Sequence, residues 1–240
     1  MSKAGIIISV LTLLLVLERV FPAVRLRENF SRLGRNFMMS LLNAATGPLI
    51  VVPVTLFASH LQWHWYPHFI IVDLLLLDGW IYFWHRLNHR IPFLWRFHEV
   101  HHLDETLDAT TALRFHFGEI VLSALVRALV IIVLGVPFST VVIFEVIVTV
   151  AALFHHSNVR LPQWLERPLS LFIVTPSIHF VHHHAVRSDT DSNYATILSV
   201  WDRVFGSRNL TQRTLTMKMG VENLSDITLL RLILRPFYKP

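Results

Sequence analysis

The sequence predicts an all-α polytopic membrane protein with about four to five membrane helices. Three features lead to this prediction: the composition, the length of the apolar runs and the clustering of the histidines. Hydrophobic residues make up 53% of the 240 residues and charged residues only 15%, whereas about a quarter of a soluble domain is charged. Several apolar runs are long enough to cross the ~30 Å hydrocarbon core of a bilayer. This composition excludes a disordered chain and a disulfide-rich secreted domain.

The charge and the cysteine count narrow the possibilities further. The chain has no cysteine, which excludes disulfides, thiolate metal sites, iron–sulfur clusters and a cysteine nucleophile. The formal net charge is +5 with neutral histidines. In so apolar a chain, this excess indicates the cytoplasmic edges of membrane helices rather than a nucleic-acid partner.

The apolar runs define five candidate spans. Residues 4–24 form the first, and their length favours a membrane helix over a cleaved signal peptide. The second, 37–61, contains glycine and proline and is expected to kink or to re-enter the membrane. The third is 69–84. Residues 120–154 form the last two, because the Gly-Val-Pro sequence at 135–137 predicts a tight turn between helices.

The basic residues predict an orientation for these spans. They lie mainly at 19–35, at 86–114 and from 160 to the end, so these regions are expected to be cytoplasmic. The N-terminus is then outside, and a bacterial inner membrane is the expected location. The whole chain, 1–240, is expected to form one integral membrane domain, with its histidine-rich region at 78–206.

The first histidine cluster is a pair at the end of the third apolar run. His85 and His89 are four residues apart, so on a helix they share a face at a spacing that suits two imidazoles on one metal. Asp78 and Tyr82 fall on the same stripe. A carboxylate inside a membrane helix is costly without a partner, and Asp78 is therefore expected to orient a metal-bound imidazole.

Two further clusters repeat the pattern His-x-x-His-His. On a helix, two members of such a triplet can bind one metal while the third reaches a neighbouring metal. His184 follows the second triplet but leaves its shared face, so it is expected to be a bystander. The triplets comprise His98, His101 and His102, and His179, His182 and His183.

Single histidines at the ends of the last two spans complete the set. His156 is expected to be a further ligand, and His116 a weaker one. His155 and His156 cannot face the same way on a helix, so only one of them is expected to bind metal. Asp191, in the segment after the last triplet, is expected to be an ordinary loop charge.

Eight imidazoles in three clusters are too many for one metal ion and suit two. Imidazole ligation without thiolates is typical of Fe, Zn or Cu. The sequence therefore predicts a histidine-rich di-metal site at the cytoplasmic face. A redox metal pair beside a membrane suits oxygen activation on a lipid.

Two other classes of protein remain open at this point. His98-Glu99-Val100-His101-His102 contains His-Glu-x-x-His, the helix of zinc proteases in which the glutamate is the general base. Such a protease needs one zinc and about three protein ligands, which leaves the other clusters unexplained. A histidine-lined metal-binding or transport protein is the second alternative, although transport sites lie near the middle of the bilayer.

The order and spacing of these residues resemble the fatty acid hydroxylase / sterol desaturase superfamily of membrane di-iron enzymes. The resemblance runs from Asp78 to Gly206, with Phe117 and Ala195 as departures from the usual pattern. It implies O2-dependent hydroxylation or desaturation of a lipid, by two iron ions that zinc can replace on purification. Because no haem, flavin or iron–sulfur motif appears in the sequence, a separate electron-transfer protein is the expected partner. Beyond the histidines, the residues expected to support the metal ligands are Asp78, Glu119 and Asn158.

Overall fold

The computed structural model describes residues 2–25, 29–61, 63 and 67–238. Within these residues the protein is helical and contains no β-strand, only three isolated β-bridges. The prediction of an all-α fold is confirmed.

Among the described residues, three helices are long and apolar enough to cross a membrane. The first runs from Phe30 to His60 and consists of α2 (Phe30–Thr46), a π-helical turn (Gly47–Val51) and α3 (Val52–His60). The other two are α6 (Phe117–Leu134) and α7 (Phe138–His156). The first therefore begins earlier than expected, and the predicted kink takes the form of the π-helical turn around Pro48, since proline cannot donate the normal helical hydrogen bond.

The other two predicted spans are helices as well, but they do not meet the same length and composition criteria. They are α1 (Lys3–Val20) and α4 (Ile70–Arg90). The predicted count of four to five spans therefore stays a prediction.

The turn between α6 and α7 lies where the Gly-Val-Pro sequence predicts it. Gly135 has a φ of +72°, and its backbone N–H donates to the carbonyl oxygen of Ile131 at 2.8 Å. This left-handed conformation at a helix C-terminus favours glycine. A Cβ atom here would lie 2.1 Å from the carbonyl oxygen of Trp63, so the turn has no room for a side chain.

The apolar core lies between the long helices. A cluster around Leu77, Ile131 and Phe144 joins α4, α6 and α7, and Ala58 of α3 packs into it. Leu14 of α1 and Leu153 of α7 belong to a second cluster. These contacts place the C-terminal ends of α4 and α7 on the same side of the fold as the N-terminal end of α6.

Short helices form a polar layer at that side. They are α5 (Pro92–His102), a 3₁₀ helix (Ala109–Leu113), α8 (Gln163–Leu169), α9 (Pro176–His182), α10 (Arg187–Thr190), α11 (Val200–Val204), α12 (Leu229–Leu234) and a last 3₁₀ turn (Arg235–Phe237). A buried ion cluster connects this layer to α2. Arg32 Nε and Nη2 donate to Asp104 at 2.6 and 2.9 Å, and Nη1 donates to Asp108 at 2.6 Å.

Candidate metal centre

Four helices of the fold bring histidines to one place. Helix α4 ends in the His85–His89 pair and α7 ends at His156, while α5 and the end of α9 carry the two triplets. In each of these segments the helical repeat of 3.6 residues puts the histidines on adjoining faces. The result is two compact histidine groups, nearly all of whose members are buried.

The first histidine group contains five imidazoles, each offering one ring nitrogen within 4.8 Å of the others. Its members are His85, His89, His98, His102 and His182. The Nε2 atoms of His85 and His98 are 3.1 Å apart, and the ring of His182 lies 4.7 Å from the ring of His89 between centroids.

The second histidine group contains four imidazoles within the same limit of 4.8 Å. Its members are His101, His156, His179 and His183. Here Nε2 of His156 is 2.9 Å from Nε2 of His101 and also 2.9 Å from Nε2 of His179. The groups adjoin, because the rings of His102 and His183 stack at 4.2 Å.

Each triplet contributes to both groups. In α5, His98 and His102 enter the first group, while His101 enters the second. In the other triplet, His179 and His183 enter the second group and His182 the first. In each triplet, the two histidines that are four residues apart belong to the same group, because side chains at this spacing are neighbours on one face of a helix.

The backbone loop after α10 orients two histidines of the first group. His85 donates from Nδ1 to the carbonyl oxygen of Tyr194, and His182 donates from Nδ1 to that of Ser192, both at 2.7 Å. Between these residues Asn193 has a φ of +51°, a left-handed conformation that asparagine tolerates. With the protons on Nδ1, the Nε2 atoms of both rings present lone pairs to the group.

Two carboxylates face the same group. Glu119, in the first turn of α6, accepts a hydrogen bond from Nδ1 of His98 at 2.9 Å. Asp191 Oδ1 is 3.4 Å from Nδ1 of His89, within ion-pair range. A carboxylate on the far nitrogen of an imidazole fixes the ring orientation and strengthens the other nitrogen as a ligand.

Buried ring nitrogens that have no hydrogen-bond partner among the described residues indicate that these groups fit metal ions. Nε2 of His182, both nitrogens of His102 and both nitrogens of His183 are buried and have no hydrogen-bond partner among the described residues. Buried polar groups in folded proteins are nearly always satisfied. A cation held by the lone pairs of each group would satisfy one nitrogen of each ring, and all-imidazole ligation suits Fe, Zn or Cu.

Electrostatics keep His101, His102 and His182 neutral, as ligation requires. Burial holds the pKa values of His101 and His102 well below their ordinary value, and the nearby imidazole of His183 adds to the effect in both cases. Burial lowers the pKa of His182 to about 3. The rings therefore offer lone pairs rather than positive charges at neutral pH.

Several residues predicted for the site lie elsewhere. Nine of the ten predicted histidines belong to the two groups, whereas His116 does not. Its Nδ1 accepts from the N–H of Gly118 and its Nε2 bonds to the carbonyl oxygen of Ile233, so it caps α6. His184, which is expected from the sequence to be a bystander, bonds to Asp189 at 2.7 Å and lies outside both groups.

Two of the residues expected to support the metal ligands, Asp78 and Asn158, form no hydrogen bond with an imidazole among the described residues. Asp78 accepts from the indole N–H of Trp201 at 2.7 Å and from the N–H of Leu198 at 3.2 Å. Asn158 bonds to both backbone groups of Val24. The carboxylate of Asp78 and the amide of Asn158 thus form hydrogen bonds with segments distant in the chain, which residue spacing in the sequence cannot show.

Sequence reasoning missed Asp191, which it interpreted as a loop charge. The signal that could have found it is the i, i+4 spacing to Arg187, whose Nε donates to Asp191 Oδ2 at 2.8 Å. The same Arg187 donates to the carbonyl oxygen of His89 at 3.0 Å, which ties α10 to the end of α4. Asp191 thus faces both an imidazole of the first group and a guanidinium.

Comparisons with known proteins identify a matching family and several similar proteins. The fatty acid hydroxylase family matches residues 70–207. The ornithine lipid hydroxylase OlsE of Rhizobium tropici is 28% identical over 152 residues, which cover 63% of this chain and 45% of that protein. The alkylglycerol monooxygenase of Homo sapiens is 32% identical over 60% of this chain and 30% of its own length.

A third relative, the cholesterol 25-hydroxylase of Rattus norvegicus, is 25% identical over 79% of this chain and 61% of its own length. The chain thus spans less than two thirds of each of these relatives. No solved structure matches the chain. The family match covers more than half of the 240 residues and contains the first two histidine clusters and the last triplet. The chain therefore belongs to the fatty acid hydroxylase family.

Proposed function

We propose that this protein is a membrane monooxygenase that holds two iron ions and uses O2 to hydroxylate a C–H bond of a lipid. One observation carries the proposal: two adjoining groups of five and four imidazoles, eight of which are buried. The first group would hold one ion and the second group the other. Bound iron would supply the redox chemistry that activates O2 for insertion into a C–H bond.

The overall reaction balances only with an outside source of electrons. One oxygen atom enters the C–H bond, and the other leaves as water with two protons and two electrons. The protein has no cysteine, so it cannot hold an iron–sulfur cluster through thiolates. No haem or flavin motif appears in the sequence either, so a separate electron-transfer protein is the expected partner.

The residues of the chain would act by orientation and by exclusion of water. Glu119 and the carbonyl oxygens of Ser192 and Tyr194 would keep lone pairs of His98, His182 and His85 aimed at the first ion. His101, His156 and His179 are all at most 2% exposed. This burial limits the access of bulk water to a reactive site.

The substrate class and the location follow from the relatives and from the charge pattern. All three relatives described above are named for lipid hydroxylation or monooxygenation, which supports a lipid substrate. The basic residues beside the histidine segments support an active site at the cytoplasmic face, in a bacterial inner membrane. Hydroxylation is favoured over desaturation because the relatives are named for hydroxylation.

The zinc-protease alternative requires Glu99 to act as a general base beside a metal ion. Instead, Glu99 accepts a hydrogen bond from Nε of Arg235 at 2.6 Å, an ion pair on the face of α5 that packs against the last 3₁₀ turn. His98 and His102 also share their group with three further histidines, more than one zinc uses. These observations disfavour a protease.

The test is lipid analysis of cells with and without the gene, grown under ¹⁸O2. The expected result is a lipid that gains one ¹⁸O atom only when the gene is present. The matched control is the His183→Ala variant, which should form no labelled product. A lipid that loses two hydrogens without gaining oxygen would show desaturation, and an unchanged lipid profile with altered peptide products would support the protease alternative.

A further inference from the structure

A cavity of 680 Å³ lies outside the two histidine groups. The segments 159–170 and 208–215 form most of its wall, and Ser177 and Ile178 close it on the side of α9. These two residues directly precede His179 of the second histidine group. The cavity therefore opens beside the metal centre without including any of its nine histidines.

Four arginines give this cavity its charge. They are Arg160, Arg167, Arg208 and Arg213. None of them forms an ion pair within the part of the chain that the structure describes. The other charged residues of the wall are Glu166 and Asp202, so the wall carries two more positive than negative charges.

The two carboxylates offset only part of the charge of the four arginines, since Glu166 interacts electrostatically with Arg213 and Asp202 with Arg208. Asp202 accepts from the backbone N–H groups of Tyr194 and Ala195 at 2.7 and 3.0 Å, so its oxygens already serve the loop that orients the histidines. Glu166 has no cation within salt-bridge distance among the described residues. A net positive charge thus remains inside a concave surface, where field lines are focused.

Arg213 is held in position before any ligand arrives. Its guanidinium lies 4.0 Å from the centroid of the Phe180 ring, and its Nη2 donates to Asn158 Oδ1 at 3.3 Å. Burial lowers the pKa of Arg213 to about 10, which shows that desolvation of this charge is only partly offset. A rigid, partly desolvated guanidinium with unused N–H groups suits an oxyanion.

The rim of the cavity suits a lipid rather than a soluble ion. Leu210 and Leu215 line the cavity and are 78% and 76% exposed, and Trp164 in the adjoining helix α8 is 76% exposed. Exposed leucines beside a cationic cavity can enter a bilayer, and tryptophan favours the headgroup region. The surrounding apolar side chains would thus contact acyl chains while the arginines face the headgroup.

We propose that this arginine cavity binds the oxyanion of a lipid headgroup at the membrane interface. The chemistry is that of a phosphate or carboxylate held by guanidinium groups, with Arg213 as the central contact. The site stands independently of the oxygenase proposed above, because binding requires neither metal nor O2.

The test is calorimetric titration of the purified full-length protein in a neutral maltoside detergent. The probes are dihexanoyl phosphatidylglycerol, dihexanoyl phosphatidylcholine and inorganic phosphate, all as monomers in solution. The wild-type protein is expected to bind the phosphatidylglycerol more tightly than either other probe. Equal affinity for the two lipids would refute recognition of the anion, and equal affinity for inorganic phosphate would refute the lipid assignment.

Matched variants place the site within the molecule. Arg213→Gln should weaken phosphatidylglycerol binding about tenfold to hundredfold, since hydrogen bonds to charged groups are the strong ones. Arg167 lines the same cavity and is exposed, so its substitution should not impair folding. Arg167→Gln should weaken phosphatidylglycerol binding about twofold to fivefold. Glu166→Gln should instead tighten binding by a similar factor, an effect that a merely structural role would not produce. Arg231→Gln, an exposed arginine of α12 outside the cavity, should change nothing; if it weakens binding as much as Arg213→Gln, the site is elsewhere.

Discussion

The carboxylate of Glu119 provides the sharpest test of how the first histidine group is built. Glu119 is 5% exposed and accepts from Nδ1 of His98 at 2.9 Å, with the amide of Asn88 3.4 Å from the same oxygen. Glu119→Gln keeps a hydrogen-bond acceptor in place but removes the negative charge. The charge stabilises a cation on the far side of the imidazole, so its loss should weaken metal binding to this group.

The magnitude follows from the type of contact. Changes to residues that orient a metal-bound imidazole typically cost 10- to 100-fold in affinity or activity, equivalent to about 1.4–2.8 kcal/mol. Because the contact is buried and the hydrogen bond is retained by glutamine, we expect a loss of about tenfold for Glu119→Gln. Iron should leave the variant faster in a competition with a chelator, and product formation should fall in parallel.

Glu99 supplies the matched control. It is also a buried glutamate, 8% exposed, and it lies between His98 and His101 in the sequence. Its partner is Arg235 rather than an imidazole, so Glu99→Gln should leave the metal affinity within about twofold of wild type. Equal losses in the two variants, or a greater loss in Glu99→Gln, would refute the assignment of Glu119 and revive Glu99 as a general base.

Four further predictions concern the histidine ligands, the iron content, the buried ion cluster at Arg32 and the membrane topology. His183→Ala should abolish hydroxylation while His184→Ala retains most of it, as measured by mass spectrometry of the product. Protein purified without oxygen from iron-supplied cells should approach two iron ions per chain by elemental analysis, and a single ion would contradict the two-group site. Arg32→Ala should destabilise the fold by about 3–5 kcal/mol, because it removes the guanidinium that is hydrogen-bonded to both Asp104 and Asp108 and leaves buried Asp104 with only one cation, Arg114, at 3.8 Å. Reversible unfolding, with exposed Arg231→Ala as the control, measures this. The chain has no cysteine, so single cysteines can be introduced at three exposed positions of the polar layer, Arg90, Glu105 and Ser188. Each should be labelled only from the cytoplasmic side, and labelling of any of them from outside would contradict the topology.

Local patterns predicted much of the fold and most of the histidines. Apolar runs predict membrane helices because the length and composition of a segment determine whether it can span a bilayer. The turn at Gly135 follows from the need for a left-handed residue after a helix. Likewise, the spacings within His98–His102 and His179–His183 place their side chains on shared helix faces, since helix geometry depends only on neighbours in the chain.

The sequence alone could not assign partners between distant segments. His116 and His156 both flank a membrane helix, yet one caps α6 and the other joins the second histidine group. Asp78 is on the stripe of His85 but bonds to Trp201, whereas Glu119 from another helix reaches His98.

The tertiary structure also decided how the histidine triplets divide and where the charged side chains meet. His102 and His182 share a group although 80 residues separate them in the numbering. Asp191 lies beside His89, and Arg213 lies over Phe180, for the same reason. Helix periodicity determines the direction of a side chain relative to its own helix, but the packing of helices against one another determines what that side chain contacts.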